Sequence, residues 1–315
     1  MKTILVTGVA GFIGSNLAEA LLKRGYRVVG IDNFDDTYNP QFKEQHVASC
    51  LQHEQFLLER VDIRDRAALE TVFTRAQPDA VAHLAAKADT RAAVANPYPY
   101  LENNIDGMVN VLEVAKNVSN IVFASSSSVY GNDPHVPWKE SATADRTLSP
   151  YGATKRAGEI LAYTYHHNFN TPITCLRYFN AYGERNRPNM VFYRWAQALL
   201  QGEAIELSGE GTRKRDYTYV GDTVEATIAA LEKPLGYEII NIGNNKPASL
   251  VELLHVFEKV IGVTAQVHKR PSAPMSVEET YADITKAKTL LGWEPHTSLE
   301  EGVSRFIAWF RANRL

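Results

Sequence analysis

Two polar segments of the chain combine residue types that can move protons. Four consecutive serines, Ser125 to Ser128, follow the apolar run 121–124, and Tyr151 and Lys155 lie farther along the chain. On a helix, residues four apart lie on the same face, so Tyr151 and Lys155 would be neighbours. An ammonium beside a phenol favours the phenolate, and a nearby hydroxyl can share the proton. The spacing alone is equally consistent with a polar loop followed by an ordinary amphipathic helix.

A glycine-rich turn near the N-terminus is suited to bind a dinucleotide. Gly8, Gly11 and Gly14 lie between a predicted strand and a predicted helix. Glycines let the backbone approach a pyrophosphate, and a helix N-terminus supplies N–H donors and partial positive charge. Asp32, at the end of the second predicted strand, can accept both ribose hydroxyls of NAD and would repel a 2′-phosphate. The sequence therefore predicts an NAD site.

The elements that must position these residues alternate along the chain. Apolar runs predict strands, separated by helices, at 2–7, 27–31, 55–61, 79–84, 121–124 and 173–177. This alternation predicts an α/β fold with a doubly wound parallel sheet, the Rossmann type. After Asn180 the pattern changes, and helices are predicted at 190–201, 220–231, 250–261 and 299–313. We therefore predict an NAD-binding domain at 1–180, with a return at 237–261, and a smaller C-terminal substrate-binding part at 181–236 and 262–315.

Composition excludes several classes of partner. The 315 residues carry a net charge of −3 from 33 basic and 36 acidic residues, without long runs of either sign, so neither nucleic acid nor a membrane surface is expected as a partner. Cys50 and Cys175 lack metal-ligand spacing and predict reduced structural thiols and no metal site. We find no secretory signal and no window near the ~18 apolar residues of a membrane span, which predicts a cytoplasmic protein.

Motifs along nearly the whole chain resemble the extended short-chain dehydrogenase/reductase family, and more narrowly its nucleotide-sugar epimerases. The glycine spacing and the Tyr-x-x-x-Lys pair carry most of this resemblance. The matching residues are Thr7–Gly14, Asp32-Asn33, Asp62-Ile63, His83–Ala86, the serine run, Tyr151, Lys155, Arg177–Asn180 and Arg215–Tyr217.

The resemblance implies an NAD site and a catalytic triad. Asp62 and Ile63 would flank the adenine, and Tyr178 would lie near the nicotinamide. The remaining implied NAD contacts are Gly8, Gly11, Phe12, Ile13, Gly14, Asp32, Asn33, Leu84, Ala85, Ala86, Tyr151 and Lys155. Tyr151 would act as the base, with its phenolate stabilised by Lys155, and Ser126 would relay the proton of a sugar hydroxyl.

The neighbours of Ser126 discriminate between reactions. Relatives that remove water carry Asp-Glu where this chain has Ser127 and Ser128, and relatives that decarboxylate UDP-glucuronate carry Glu at the second position. Both eliminations need that extra acid or base. Cys175 lies within a strand, in the wrong motif for the cysteine of a 3,5-epimerase. The residue set is therefore typical of NAD-dependent 4-epimerisation, an isomerase reaction.

The segments 182–190 and 96–98 resemble UDP-glucuronate 4-epimerases. A hexuronate whose C4 is oxidised is a β-keto acid, so an enzyme must hold its carboxylate, and Ser127, Ser128 and Arg187 are suited donors. Asn180 departs from this pattern because it is typical of UDP-glucose epimerases, and Lys87 replaces a more usual Gln. The full implied substrate set is Lys87, Arg91, Ser127, Ser128, Asn180, Arg187, Asn189, Met190, Arg215, Arg270 and Asp283.

Several alternatives remain open at this point. The substrate pair is UDP-glucuronate/UDP-galacturonate, UDP-glucose/UDP-galactose or another sugar nucleotide. A non-catalytic sensor of NAD(H) or sugar nucleotides, or a reductase that exchanges its cofactor with solvent, would share much of the sequence. The helices predicted at 100–116 and 151–168 correspond to those that pair two subunits in relatives, so the resemblance also implies a homodimer.

Overall fold

The strands follow the alternation that the sequence predicts. The computed structural model describes residues 1–271 and 277–314. Within them the strands are β1 (Thr3–Thr7), β2 (Arg27–Ile31), β3 (Phe56–Glu59), β4 (Ala80–His83), β5 (Asn120–Ser126), β6 (Ile173–Tyr178), β7 (Asn180–Tyr182), β8 (Ile205–Ser208), β9 (Lys214–Arg215), β10 (Tyr217–Tyr219), β11 (Tyr237–Ile242), β12 (Ala248–Ser249) and β13 (Val267–Arg270).

The helices complete the alternation. They are α1 (Phe12–Lys23), α2 (Pro40–Val47), α3 (Arg66–Ala76), α4 (Thr90–Ala95), α5 (Tyr98–Leu101), α6 (Gly107–Ala115), α7 (Pro150–Phe169), α8 (Val191–Leu200), α9 (Val220–Glu232), α10 (Leu250–Ile261) and α11 (Leu299–Arg314). Short 3₁₀ turns lie at Cys50–Gln52 and Ser127–Tyr130, and π-helical segments lie at Glu102–Asp106 and Ala287–Leu291.

Seven parallel strands form the central sheet in the order β3-β2-β1-β4-β5-β6-β11. Strands β1 and β5 are buried along their whole length because helices cover both faces of the sheet. Helices α1 and α9 pack on one face, while α3, α6 and α7 share the core of the other. The Rossmann-type fold class predicted from the sequence is confirmed.

Some elements differ from the sequence predictions. The helix predicted at 100–116 is interrupted by the π-helical segment at 102–106. Helices α2 and α4 and the three small two-stranded sheets, β7·β10, β9·β12 and β8·β13, were not predicted. Strand β11 pairs with β6 over its whole length, from Tyr237 opposite Ile173 to Ile242 opposite Tyr178. The division into an NAD-binding and a substrate-binding part stays a prediction.

The parallel sheet gathers the predicted site residues. All seven strands point the same way, so the residues that follow β1, β2, β4, β5 and β6 meet at one edge of the sheet. Among the residues that the structure describes, no helix combines the length and the hydropathy needed to cross a bilayer.

Candidate active site

The turn between β1 and α1 admits no side chain at two of its glycines. Gly8 has a φ of +72°, and a Cβ there would lie 2.8 Å from the backbone of Ala85. A Cβ on Gly14 would lie 2.1 Å from the Gly8 carbonyl oxygen. The first turn of α1 carries no acidic side chain. A closely packed backbone at a helix N-terminus is the arrangement that binds a pyrophosphate.

Asp32 ends β2 with its carboxylate beside this turn. The carboxylate accepts hydrogen bonds from the backbone N–H of Ala10, at 3.0 Å, and of Phe34, at 2.8 Å. The side chain is buried, and Lys43 Nζ lies 4.0 Å away. Burial raises the pKa of Asp32, although the Lys43 charge and the two N–H groups oppose this shift. The carboxylate is thus held rigidly at the position where dinucleotide folds bind a ribose.

A cleft of about 1040 Å³, open to solvent, connects these features. Its lining includes most of the predicted NAD contacts, namely Gly8, Gly11, Phe12, Ile13, Gly14, Asp32, Asn33, Ile63, Leu84, Ala85 and Ala86. Asp62 lies beside Asn33, whose side-chain amide donates to its carboxylate at 2.9 Å. The glycine cradle, the helix N-terminus and the buried carboxylate together fit NAD.

Ser126, Tyr151 and Lys155 come together where β5 ends against α7. Ser149 begins α7 by accepting a hydrogen bond from the Gly152 N–H at 3.1 Å. Ser126 Oγ accepts from the Ser128 N–H at 3.1 Å and donates to Ser128 Oγ at 3.2 Å, and the Ser126 side chain acts to lower the pKa of Tyr151. Lys155 Nζ donates to the Ala124 carbonyl oxygen at 2.7 Å. The structure therefore brings the three predicted catalytic side chains to one place.

The electrostatics of this group differ from the sequence expectation. Burial raises the pKa of Tyr151, while the hydrogen bond from Ser126 and the positive charge of Arg187 oppose that rise. Burial also lowers the pKa of Lys155 to about 7. Lys155 Nζ is hydrogen-bonded to the Ala124 carbonyl oxygen, and the net shift of the Tyr151 pKa is upward. The residues present therefore do not by themselves make Tyr151 acidic.

A buried ion pair fixes α7 against the sheet. Arg177 donates to Glu159 through Nε, at 2.7 Å, and through a terminal nitrogen, at 2.8 Å, and both side chains are almost fully buried. Ser125 Oγ donates to the same carboxylate at 2.6 Å. Glu159 lies one turn after Lys155 on α7, while Ser125 and Arg177 face each other on β5 and β6. This network holds the helix that carries Tyr151 at the carboxyl edge of the sheet.

Comparison with known proteins agrees with this geometry. A family model described as GDP-mannose 4,6 dehydratase matches residues 5–306. The chain belongs to this family. The sequence resemblance to the extended short-chain dehydrogenases is thereby confirmed.

Several members of the family are close in sequence or structure. A UDP-glucuronate 4-epimerase from Thermodesulfobacterium geofontis is 43% identical over 99% of this chain and 97% of its own length. A UDP-glucuronic acid 4-epimerase from Bacillus cereus, crystallised with UDP-glucuronic acid and NAD, is 38% identical with a TM-score of 0.93, covering 98% and 99% of the two chains. A UDP-glucose 4-epimerase from Thermotoga maritima with UDP-glucose is 31% identical with a TM-score of 0.91, covering 98% and 99%.

Four of the predicted substrate residues, Arg187, Met190, Asn180 and Lys87, have specific contacts in the structure. Arg187 lines the cleft, donates to the Ala88 carbonyl and lies 3.7 Å from Met190 Sδ. Asn180 Oδ1 accepts a hydrogen bond from Thr280 at 3.2 Å. Lys87 lines the same cleft but is engaged by Asp35, at 2.5 Å. Arg187 is the side chain of this set whose charge acts on Tyr151.

A second group of predicted substrate residues lies on the C-terminal half and its border. Glu206 forms ion pairs at 3.6 Å with both Arg194 and Arg270. Burial lowers the pKa of Arg194, and the positive charge of Arg91 contributes to this shift. Arg215 donates to the Lys214 carbonyl at 2.7 Å. This group adds positive charge from β9, β13 and α8.

Three predicted residues have contacts that the sequence did not suggest. The Tyr178 hydroxyl is buried and lies 2.8 Å from Thr227 Oγ1 on α9. Asp283 accepts from the Thr285 N–H at 2.8 Å in the turn before a π-helical segment. The Asn189 amide donates to Asp89 at 2.9 Å. All three contacts are with other residues of the chain, so the roles of Tyr178, Asp283 and Asn189 in ligand binding stay predictions.

A polar segment after β2, which was not predicted, also lines the cleft. Lys43 is buried and pairs with Asp35 at 2.7 Å, and Asp35 also pairs with Lys87. Burial opposes ionisation of Asp35, but these two ammonium groups hold its pKa well below its usual range. Asn39 accepts from the Gln41 N–H at 3.0 Å and begins α2. The Asn-Pro pair at 39–40 is the signal that indicates this helix in the sequence.

Proposed function

We propose that this protein is an NAD-dependent 4-epimerase that interconverts UDP-glucuronate and UDP-galacturonate. One observation carries the choice of an acidic sugar: the Arg187 guanidinium lines the cleft and its charge reaches Tyr151. A carboxylate at C5 of the sugar lies next to the reacting carbon, so a cation beside the base is suited to bind it. The two UDP-glucuronate 4-epimerases named above support the same assignment.

In this proposal Tyr151 removes the proton of the C4 hydroxyl and later returns it. Bound NAD would supply the acceptor and donor of the C4 hydride and a positively charged ring near the phenol. Ser126, held by its two hydrogen bonds with Ser128, is suited to bind the C4 hydroxyl and relay its proton to Tyr151. Proton transfer by a positioned side chain of this kind contributes roughly 10²–10⁴-fold to a rate.

The residues beside Ser126 support epimerisation over elimination. Ser127 and Ser128 occupy the positions where relatives that dehydrate or decarboxylate carry acidic side chains. Hydroxyls at these positions can donate to a carboxylate but cannot serve as general acids near neutral pH. We propose that both serines, with Arg187, hold the C5 carboxylate and so prevent loss of CO2 from the 4-keto sugar.

We propose that NAD is held by the residues that line the cleft. The backbone of the turn from Gly8 to Gly14 binds the pyrophosphate, and Asp32 accepts the ribose hydroxyls. Asn33, Asp62 and Ile63 bind at the adenine end, and Leu84 to Ala86 pack along the cofactor. The pair of Lys87 and Asp35 lies beside this path and encloses it.

The nucleotide half of the substrate belongs to the C-terminal part in this proposal. Arg215 and Arg270 bind the diphosphate, with Arg91 beside them, because guanidinium groups bind phosphate oxygens in pairs. Asn180, Asn189 and Met190 contact the sugar or base, and Asp283 the nucleotide ribose. UDP-glucose remains the second candidate substrate because Asn180 is the residue typical of UDP-glucose epimerases.

We also propose a cytoplasmic homodimer that pairs through the helical segments 100–116 and 151–168, which include α6 and α7. Large apolar side chains on this side of the molecule are exposed by about half or more, as surfaces that become buried on association are. They are Val94 (48%), Tyr98 (70%), Leu101 (47%), Ile160 (54%), Tyr163 (52%) and Phe169 (48%). Light scattering should give twice the mass of the chain, and Ile160→Asp with Tyr163→Asp should give the monomer mass.

A panel of sugar nucleotides tests the substrate assignment. The purified protein is incubated separately with UDP-glucuronate, UDP-glucose and UDP-N-acetylglucosamine, and the epimers are separated by chromatography. We expect UDP-galacturonate to form from UDP-glucuronate without added cofactor in each turnover. Conversion of UDP-glucose alone would assign the second candidate, and reduced nicotinamide without any epimer would indicate a sensor.

A further inference from the structure

The turn between β7 and α8 carries Arg187 and has an unfavourable backbone. Gly183 has a φ of +137° and Arg185 a φ of +66°. The left-handed region is costly for a residue with a long side chain, since its Cβ crowds the backbone. An arginine remains in such a conformation only where its surroundings hold it there.

Two side chains of α1 hold this turn. Glu19 pairs with Arg185 at 2.5 Å, and only 16% of the Arg185 side chain is exposed. The Asn16 amide donates to the Glu184 carbonyl at 3.1 Å. Burial opposes ionisation of Glu19, but its hydrogen bonds with Lys23 and Arg185 lower its pKa. These contacts therefore attach the turn to α1, the helix that begins at the glycine-rich turn from Gly8 to Gly14.

Hydrogen bonds within the turn also fix the backbone of Arg187. Asn186 is buried and its side-chain oxygen accepts the Arg187 N–H at 2.8 Å. The Asn186 N–H donates to the Gly183 carbonyl at 3.2 Å, which closes the turn. With its backbone fixed on both sides, Arg187 extends to the Ala88 carbonyl and the cleft.

We propose that Arg185 is a positioning residue: its ion pair with Glu19 sets Arg187 in the cleft and so controls how firmly the sugar carboxylate is held. This inference rests on the proposed function. Helix α1 thus serves both ligands, with its first turn at the dinucleotide and Glu19 about two turns later at the substrate arginine.

A carboxylate that is held loosely has a chemical consequence. In the 4-keto sugar, the bond from C5 to the carboxylate can break, and CO2 leaves. The electron pair passes to C5 and is delocalised into the C4 carbonyl, and a proton from water then adds at C5. The product is a UDP-4-keto-pentose, and the hydride taken from C4 stays on the reduced cofactor. The yield of keto-pentose relative to UDP-galacturonate therefore reports how well Arg187 is positioned.

The test compares Arg185→Gly, Arg185→Lys and Arg187→Ala with the matched control Lys23→Ala. Lys23 is the other partner of Glu19, at 2.8 Å, and 72% of its side chain is exposed. Glycine tolerates the left-handed backbone, so Arg185→Gly removes the ion pair without adding strain. Thermal midpoint, KM and kcat for UDP-glucuronate, and the ratio of keto-pentose to epimer are measured on the full-length protein.

We expect Arg185→Gly to raise KM about tenfold and to raise the ratio of keto-pentose to epimer several-fold, because a small misplacement of a binding group weakens substrate binding and catalysis. The thermal midpoint should stay near the wild-type value. Arg185→Lys should restore part of both, and Lys23→Ala should match wild type. The proposal is overturned if Arg185→Gly keeps the wild-type KM and ratio while Arg187→Ala alters both, or if Lys23→Ala reproduces the effect. If Arg187→Ala also changes neither, the proposed carboxylate recognition fails as well.

Discussion

Replacing Lys155 by methionine should stabilise the protein, and more so in acid. Burial lowers the pKa of Lys155 to about 7, whereas an unfolded lysine titrates near ~10.4. Between these values the unfolded state binds more protons, so wild-type stability rises with pH and the penalty is complete below about pH 7. Methionine fills a similar volume and carries no charge.

The size of the effect follows from the shift. Each pKa unit corresponds to ~1.36 kcal/mol, so burial of Lys155 lowers the free energy of unfolding by about 4–5 kcal/mol at pH 6 and by about 2 kcal/mol at pH 9. Loss of the Lys155 hydrogen bond to Ala124 costs about 1 kcal/mol at both pH values. We therefore expect Lys155→Met to gain about 2–3 kcal/mol more at pH 6 than at pH 9.

Urea unfolding of NAD-free protein at the two pH values measures this difference. Bound cofactor is removed first because it would add its own stabilisation. Lys246→Met, at an exposed position, serves as the control and should show no such dependence on pH. An equal change in stability at pH 6 and pH 9 for Lys155→Met would refute the assignment of Lys155 as a strongly desolvated amine.

Three further predictions concern the site and its supports. Tyr151→Phe should lower kcat by about 10²–10⁴-fold with NAD still bound, measured by epimer formation and by cofactor content; near wild-type turnover would exclude Tyr151 as the base. Glu159→Gln should lower the free energy of unfolding by about 3–5 kcal/mol, because it leaves the Arg177 charge buried without its partner; denaturant titration checks this, and a loss under 1 kcal/mol would contradict it. Asp32→Ser should weaken NAD binding by about tenfold or more and reduce the preference for NAD over NADP, because the ribose hydroxyls lose their acceptor and a 2′-phosphate is no longer repelled. Calorimetry with both cofactors measures the two affinities.

Much of the fold could be predicted from the sequence because strand and helix signals alternate clearly. The turn from Gly8 to Gly14, Asp32 and the Tyr151/Lys155 pair depend on short spacings within single elements, so local patterns sufficed to indicate them. Helix α2 was missed because it is mostly polar and lacks an apolar stripe. Its Lys43 therefore gave no sign of being buried beside Asp35.

Contacts between distant segments could not be predicted. The ion pair of Arg185 with Glu19 joins residues far apart in the sequence, and nothing local to either residue indicates it. The Tyr178 hydroxyl is hydrogen-bonded to Thr227 on α9. The position of α9 beside Tyr178 depends on how the helix packs on the assembled sheet, which no local pattern indicates. Likewise, the sequence paired Lys155 with the phenol, but burial of the ammonium against Ala124 changed the expected electrostatics.

The central claim is that hydride leaves C4 of UDP-glucuronate and returns to the same carbon within one site. UDP-glucuronate labelled with deuterium at C4 is incubated with the protein as purified, and the UDP-galacturonate is analysed by mass spectrometry and NMR. The proposal predicts that the deuterium is retained at C4 of the epimer, without added NAD. Loss of the label to solvent, a dependence on added NAD in each turnover, or a decarboxylated or dehydrated product in place of the epimer would contradict it.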